Sequence, residues 1–228
     1  MQLTAQTNSN LLTSLQERPL IAIIRGKNAE SCDFKPSLFW LGKTLIDLGV
    51  PHVEITLTTP GALALISALC DYRDSAEKAK DCLIGAGSIL SLQHFTDAMA
   101  AGADFLVSPV LDTDLLEFAQ NHNTLLIPGA ATPSEIYHAH KLGCPVVKVF
   151  PANTLGGVDY IKSILAPMPS LKVIPTGGII PSDYHTYLKA GAFAVGLGSQ
   201  LLPPGCLKAE DTAALKKVLE PILDRATV

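Results

Sequence analysis

The sequence predicts a (β/α)8 TIM barrel with an extra N-terminal helix. Eight short apolar runs recur along the 228 residues, at spacings of roughly 20 to 30 residues. Each run is followed by a helix-like segment, and no linker, low-complexity stretch or charge block separates these units. An open doubly wound sheet shares this alternation and is the alternative, but the count of eight units favours the barrel.

The predicted strands lie in the apolar runs, which are rich in Val, Ile and Leu. In chain order, the runs are LIAIIR (20–25), HVEITL (52–57), LIGAGS (83–88), DFLVSP (104–109), LLIPGA (125–130), VVKVFP (146–151), KVIPTG (172–177) and AVGLGS (194–199). Residues 5–17 precede the first run as the extra helix, and residues 26–36 form a long loop after it.

The segments between the runs carry helix start and stop signals. Polar residues stand where an N-cap side chain would accept a backbone hydrogen bond: Ser91, Asp112, Thr132, and Ser182 or a residue near it. Four glycines stand where a helix is expected to end: Gly49, Gly102, Gly143 and Gly191. These signals predict a helix between most pairs of successive strands.

The composition predicts a single domain over residues 1–228, with the N-terminal helix in 1–18, the barrel core in 19–203 and a C-terminal helix in 204–228. Hydrophobic residues make up 48% and charged residues 17%, which argues against disorder. A net charge of -4 without a basic stripe argues against a nucleic-acid partner. Five cysteines without a CxxC pair, no signal sequence and no membrane-length run predict a cytoplasmic protein with no membrane partner.

Lys148 is the first candidate for catalysis, because it interrupts an apolar run close to a predicted strand end, where active sites of such barrels lie. An ammonium group out of water loses its proton more easily. A neutral amine attacks a carbonyl and forms a Schiff base. The alternative is a lysine that is paired with a buried carboxylate or extends to solvent.

Glu54 and Arg25 are the other charged residues near strand ends. Glu54 could move protons in Schiff-base chemistry, or it could only neutralise Lys148. The Arg25 guanidinium suits a substrate carboxylate, and the alternative is a salt bridge to a neighbouring carboxylate such as Glu54. Ser88 offers a hydroxyl at the third strand end, or a helix cap. The six histidines are scattered, so we expect no metal site.

Two glycine clusters follow the seventh and eighth predicted strands, in PTGGI (175–179) and GLGSQL (196–201). Barrels often bind phosphate there through backbone amides and a helix N-terminus. Thr176 and Ser199 could add hydroxyl donors. The alternative is two tight turns without a ligand.

The order VEITL, IGAGS, VSP, IPG, VVKVFPA, PTGG and GLGSQL, over residues 19–203, resembles the 2-keto-3-deoxy-6-phosphogluconate (KDPG) aldolases. It also resembles their relatives that act on the phosphogalactonate epimer and on 4-hydroxy-2-oxoglutarate (KHG). The resemblance implies a class I aldolase that uses a lysine Schiff base, needs no metal or other cofactor and forms a homotrimer. Its substrate would be a small 2-keto acid that yields pyruvate.

The resemblance also implies roles for individual residues. Lys148 would form the Schiff base and Glu54 would shuttle protons. Ser88 and Thr176 would face the substrate, and Phe150 would pack beside the imine. The phosphate would bind at Gly177, Gly178, Gly198 and Ser199.

One departure concerns the substrate carboxylate. Many members of the family have an arginine where this chain has Thr58. Members that act on the galactonate epimer also lack it, and they have an arginine at the end of the first strand, which Arg25 matches. We therefore expect Arg25 to bind the carboxylate, and the epimer stays open.

The expected function is cleavage of KDPG, or of a close 2-keto-4-hydroxy acid, to pyruvate and an aldehyde, which is glyceraldehyde 3-phosphate for KDPG. A sugar-phosphate isomerase or epimerase is one alternative, with Lys148 and Glu54 acting only as acid and base. A non-catalytic phosphate-binding barrel is another. The KHG and phosphogalactonate aldolases are the alternatives within the family.

Overall fold

The computed structural model describes residues 11–26 and 35–224, apart from the side chain of Lys78. Within these residues the chain has an α/β fold built on short, parallel strands. The nine strands are β1 (Leu20–Ile24), β2 (His52–Thr56), β3 (Leu83–Gly87), β4 (Phe105–Val107), β5 (Leu126–Ile127), β6 (Gly129–Ala130), β7 (Val147–Val149), β8 (Val173–Pro175) and β9 (Val195–Leu197).

Helices follow most of the strands. They are α1 (residues 11–17), α2 (Pro36–Asp47), α3 (Ala62–Ser75), α4 (Leu92–Ala100), α5 (Thr113–Asn121), α6 (Pro133–Lys141), α7 (Gly157–Leu165), α8 (Tyr184–Lys189), α9 (Cys206–Ala209) and α10 (Thr212–Leu223). Three 3-10 turns lie at Glu77–Ala79, Pro181–Asp183 and Ser199–Leu201. No helix in the described ranges is long and apolar enough to cross a membrane.

The strands pair in two parallel groups, in the orders β5-β4-β3-β2-β1-β9 and β6-β7-β8. Pro128 separates β5 from β6, because proline has no N–H to donate to the ladder. A parallel bridge between Thr176 and Gly196 joins the β8 and β9 edges. Each of the eight predicted runs contains a strand, but LLIPGA contains two short ones rather than one.

Successive strand residues face opposite sides of the curled sheet, as the pleat requires. One set packs under the outer helices, for example Ala22, Val53, Ile84 and Val195. The other set forms a second cluster on the inner face, together with Leu11 and Leu15 of α1: Ile21, Phe105, Val107, Ile127, Val146 and Ile174. Helix α1 therefore covers part of the inner face.

Most of the predicted helix signals are confirmed. Ser91, Asp112 and Thr132 accept backbone hydrogen bonds at the starts of α4, α5 and α6. Ser182 was predicted to cap a helix, and this is wrong: it lies inside a 3-10 turn, and α8 starts at Tyr184 without a side-chain cap. All four predicted stop glycines have left-handed backbones, with φ between 85° and 97°.

Three predicted segments extend past the described residues. Of the predicted helix 5–17, residues 11–17 are helical and residues 5–10 lie outside the described range. Most of the predicted loop 26–36 also lies outside it. The segment 204–228 was predicted as one helix, and over its described part it contains two, α9 and α10.

His52 ties α1 to the start of the sheet. It is fully buried; Nδ1 donates to the carbonyl oxygen of Leu20 at 2.7 Å, and Nε2 accepts from the Ser14 hydroxyl at 2.8 Å. Burial is the main cause that lowers the pKa of His52 from 6.5 to about 4; the nearby Arg18 charge acts in the same direction, and the bond to Leu20 acts against it. The folded protein therefore holds this histidine neutral.

This burial makes folding stability depend on pH. Because the pKa of His52 is depressed in the folded state, the unfolded chain binds the extra proton first, and stability is lost as pH falls from 6.5 towards 4. We expect about 2 kcal/mol of loss from this residue between pH 7 and pH 5. Urea unfolding at both pH values measures it. His52→Gln should show a smaller pH dependence, and an identical slope in the two proteins would contradict the assignment.

Candidate active site

Lys148 and Glu54 meet on the inner face of the sheet. Lys148 lies in the middle of β7 and Glu54 in the middle of β2, and both are buried, at 6% and 2% exposure. Lys148 Nζ is 3.8 Å from Glu54 Oε1. The same Nζ lies 5.3 Å from the centre of the Phe150 ring. The amine is thus held between a carboxylate and an aromatic face.

The Glu54 carboxylate has room only because position 87 is a glycine. A Cβ on Gly87 would lie 1.9 Å from Glu54 Oε1. Among the described residues, Glu54 Oε1 is a buried side-chain oxygen without a hydrogen-bond partner. A buried acceptor without a partner is costly for the fold. Such a group is therefore a candidate for contact with a substrate or with water.

A cavity of about 330 Å³ opens above this pair, at the carboxyl ends of the strands. Eight of the residues predicted from the sequence line it: Arg25, Lys148, Phe150, Thr176, Gly177, Gly178, Gly198 and Ser199. Glu54 lies beneath, in a void of about 10 Å³ that Lys148 and Thr176 also line. The structure therefore brings nine of the ten predicted site residues together.

Ser88 is the exception. It does not line the cavity, and it follows β3 in a partly exposed, left-handed position at φ 65°. The last inner-face position of β3 is occupied by Gly87, and Ser88 comes one residue later. Contact between Ser88 and a substrate stays a prediction from the family resemblance.

Close packing surrounds the glycines of the TGG turn. Gly177 and Gly178 have φ values of 100° and 74°, which glycine adopts without strain. A Cβ on Gly177 would come within 3.0 Å of the Phe150 ring, and one on Gly178 within 2.9 Å of Asn153 Cβ. Glycine at these positions lets the turn fold against the loop that follows β7. The backbone of the turn thereby forms a wall of the cavity.

Arg25 also lines the cavity, just past the end of β1, which pairs with β9. Its side chain is exposed, and Glu54 has its ion pair with Lys148, so the predicted alternative of an Arg25–Glu54 salt bridge is wrong. Thr154 and Gln200 also line the cavity, and the sequence analysis did not identify them. Thr154 lies in the turn after β7, and Gln200 lies in the 3-10 turn after β9. Their positions just past predicted strand ends were the signal that could have identified them.

Comparison with known proteins decides the family. A family model for KDPG and KHG aldolases matches residues 12–218. The chain belongs to the KDPG and KHG aldolase family. The 2-dehydro-3-deoxy-phosphogluconate aldolase of Pseudoalteromonas atlantica is 37% identical over 171 residues, which cover 75% of this chain and 77% of that protein. The KHG/KDPG aldolase of Escherichia coli is 33% identical over 186 residues, covering 82% and 84%.

A solved structure agrees with the family assignment. It is the crystal structure of KDPG aldolase from Legionella pneumophila with pyruvate captured at low pH as a covalent carbinolamine intermediate. The TM-score is 0.78 at 28% identity, and the match covers 93% of this chain and 98% of that one. The chain is therefore an aldolase, a carbon–carbon lyase, and the family resemblance of its sequence is confirmed.

Proposed function

We propose that this aldolase cleaves KDPG to pyruvate and glyceraldehyde 3-phosphate through a Schiff base on Lys148. The observation that carries the proposal is the contact of 3.8 Å between the buried Lys148 amine and the Glu54 carboxylate at the floor of the cavity. Lys148 first passes a proton to Glu54, and the neutral amine then attacks the C2 carbonyl of the substrate. Glu54 returns the proton to the hydroxyl at C2, which leaves as water and gives an iminium. The iminium accepts the electrons of the C3–C4 bond as that bond breaks.

Glu54 moves the protons in this proposal. It takes the proton of the C4 hydroxyl as the aldehyde leaves, and the electron pair of the broken bond forms an enamine. The same carboxylate returns a proton to C3, and hydrolysis then releases pyruvate and the free lysine. The void of about 10 Å³ beside Glu54 is about the volume that one water needs. A water there would connect the carboxylate with a substrate above it.

The two charged ends of the substrate would bind to different residues of the cavity wall. Arg25 supplies the charge for the carboxylate, and a guanidinium binds that group with two parallel hydrogen bonds. The phosphate would bind to the backbone N–H groups of Gly177, Gly178, Gly198 and Ser199, which line the cavity. Phe150 would pack against the imine and Thr176 would contact the substrate. No cofactor is needed in this scheme.

Trapping tests the proposal directly. Pyruvate and borohydride are added to the protein, and the modified residue is found by digestion and mass spectrometry. A reduced pyruvate adduct on Lys148 is the expected result, and it would exclude the isomerase and epimerase alternatives for this site. An unmodified Lys148 in folded protein with excess pyruvate would overturn the mechanism.

The phosphogalactonate epimer is a second candidate substrate, because Arg25 lines the cavity while Thr58 replaces the arginine that many members have. KHG is the third. The values of kcat/KM for the three compounds, measured by pyruvate release, decide between them. The highest value for KDPG is expected, and a higher value for either of the others would reassign the substrate.

The closure of the sheet and the oligomeric state of the chain are also part of the proposal. We infer a closed eight-stranded barrel in one domain over 1–228, in which β5 and β6 act as one strand and α1 covers the end opposite the cavity. The bridge between Thr176 and Gly196 supports closure. We also infer a cytoplasmic homotrimer, which would bury exposed apolar side chains such as Leu90, Leu92 and Val110. Light scattering should give three times the chain mass of 24.1 kDa, and a monomer mass would refute the trimer.

A further inference from the structure

Arg25 stands just past the end of β1, where the backbone ladder of the sheet stops. The register of β1 with β2 ends at the pair Ile24 and Ile55. Within the described part of the chain, the Arg25 guanidinium has no hydrogen bond or ion pair. Its position in the cavity therefore depends on how the backbone is held on its two sides.

Two threonines hold that backbone, Thr56 at the end of β2 and Thr59 in the turn that follows it. We call these two residues the threonine relay. Before Arg25, the carbonyl oxygen of Ile24 accepts from Thr56 Oγ1 at 3.4 Å. After Arg25, the N–H of Gly26 donates to Thr59 Oγ1 at 3.0 Å. The two hydroxyl oxygens are 3.2 Å apart.

The number of hydroxyl protons determines which group donates in each hydrogen bond of the relay. Each hydroxyl has a single proton, so Gly26 donates to Thr59, Thr59 donates to Thr56, and Thr56 donates to the Ile24 carbonyl. Thr56 also has a second lone pair, which accepts from the exposed Thr58 hydroxyl at 3.1 Å. Every group in the network is satisfied, and satisfied buried networks are rigid.

The residues of the threonine relay are also buried and closely packed. Thr56 and Thr59 are 0% and 2% exposed. A Cβ on Gly26 would lie 2.8 Å from Thr59 Cγ2, so the Gly26 backbone packs against the Thr59 side chain as closely as a glycine permits. The one residue between the two held backbone groups is Arg25.

We propose that the threonine relay positions Arg25 and so sets the affinity of the site for the substrate carboxylate. This inference rests on the proposed function, in which Arg25 binds that carboxylate. Thr56 and Thr59 are positioning residues, because Arg25 lines the cavity above Lys148 and they do not. The relay fixes the backbone on both sides of Arg25, just past β1. A bidentate contact with a carboxylate requires such a fixed geometry.

The first test removes one hydroxyl and keeps the shape of the side chain. Thr59→Val leaves the Gly26 N–H without its acceptor, and we expect KM for KDPG to rise about tenfold with kcat within about twofold of the parent value. Thr59→Ser should restore KM. Thr58→Val is the matched control, because its hydroxyl lies outside the path from Gly26 to Ile24, and we expect KM to stay unchanged.

A double-mutant cycle with Arg25→Met separates positioning from general stability. If Thr59 acts through Arg25, Thr59→Val should raise KM in the parent protein and not in the Arg25→Met protein. Equal increases in both backgrounds, or an unchanged KM in folded Thr59→Val, would overturn the relay. If Thr59→Val fails to fold by circular dichroism, Thr56→Val tests the same chain of bonds. Pyruvate trapping on parent Lys148 reports the proposed function separately, so a labelled lysine with an unaffected KM rejects the relay alone.

Discussion

Lys148→Met should abolish aldolase turnover, with a loss on the order of 10⁵-fold in kcat, comparable to the loss of other covalent nucleophiles. Methionine keeps the length and the apolar stem of lysine, but it has no amine to form an iminium. No pyruvate adduct should form in the presence of borohydride. Pyruvate release from KDPG and mass spectrometry of the trapped protein are the measurements.

The control for this variant is Lys162→Met. Lys162 is an exposed residue of α7 whose ion pair with Asp159 lies on the surface. Its loss should leave turnover and trapping unchanged, because exposed pairs contribute little. Turnover in Lys148→Met above a hundredth of the parent rate would contradict the Schiff-base mechanism.

The Lys148→Met variant should also be less stable than the parent protein. It leaves the Glu54 carboxylate at 2% exposure without its cationic partner. Breaking a buried pair on one side costs about 3–5 kcal/mol. The double variant Lys148→Met, Glu54→Gln should recover much of this loss, which urea unfolding measures. A recovery would show that the pair is held in the core as a unit.

The sequence contains the signals for the charged part of the site. Lys148 and Glu54 interrupt apolar runs, where a charge is costly unless it is paired or used, so both could be found without a structure. Because successive side chains of a strand point to opposite faces, the sequence also indicates the orientation of Lys148 and Glu54, and each occupies an inner-face position of its strand. Their contact could not be read from the sequence, since it depends on the curl that brings β2 and β7 face to face.

The polar surroundings were harder to predict. Thr59 reads as an ordinary residue before Pro60, and its bond to Gly26 exists only because β1 pairs with β2. The run GAGS does not reveal that the inner position belongs to Gly87 and not to Ser88, because the end of β3 is set by tertiary packing around Glu54. The break in LLIPGA is different, because Pro128 is visible in the sequence and has no N–H to donate to the ladder; the prediction of one strand there overlooked it.

Glu54→Gln should lower kcat about 10²- to 10⁴-fold, because it removes a general acid and base while keeping the shape of the side chain. Lys148 remains, so pyruvate should still be trapped after long incubation with borohydride. The ratio of trapping to turnover thus separates proton transfer from covalent chemistry. Pyruvate release measures turnover.

Gly87→Ala should give a similar loss of kcat although Glu54 itself is not substituted. The new Cβ would lie 1.9 Å from Glu54 Oε1, so the carboxylate must leave the position in which it lies 3.8 Å from Lys148 Nζ. Gly85→Ala is the matched control in the same strand, because its Cβ would instead meet the Phe105 ring at 2.4 Å. That variant should lose stability but keep its kcat per folded molecule. Parent kcat in both Glu54→Gln and Gly87→Ala would mean that Glu54 only neutralises Lys148.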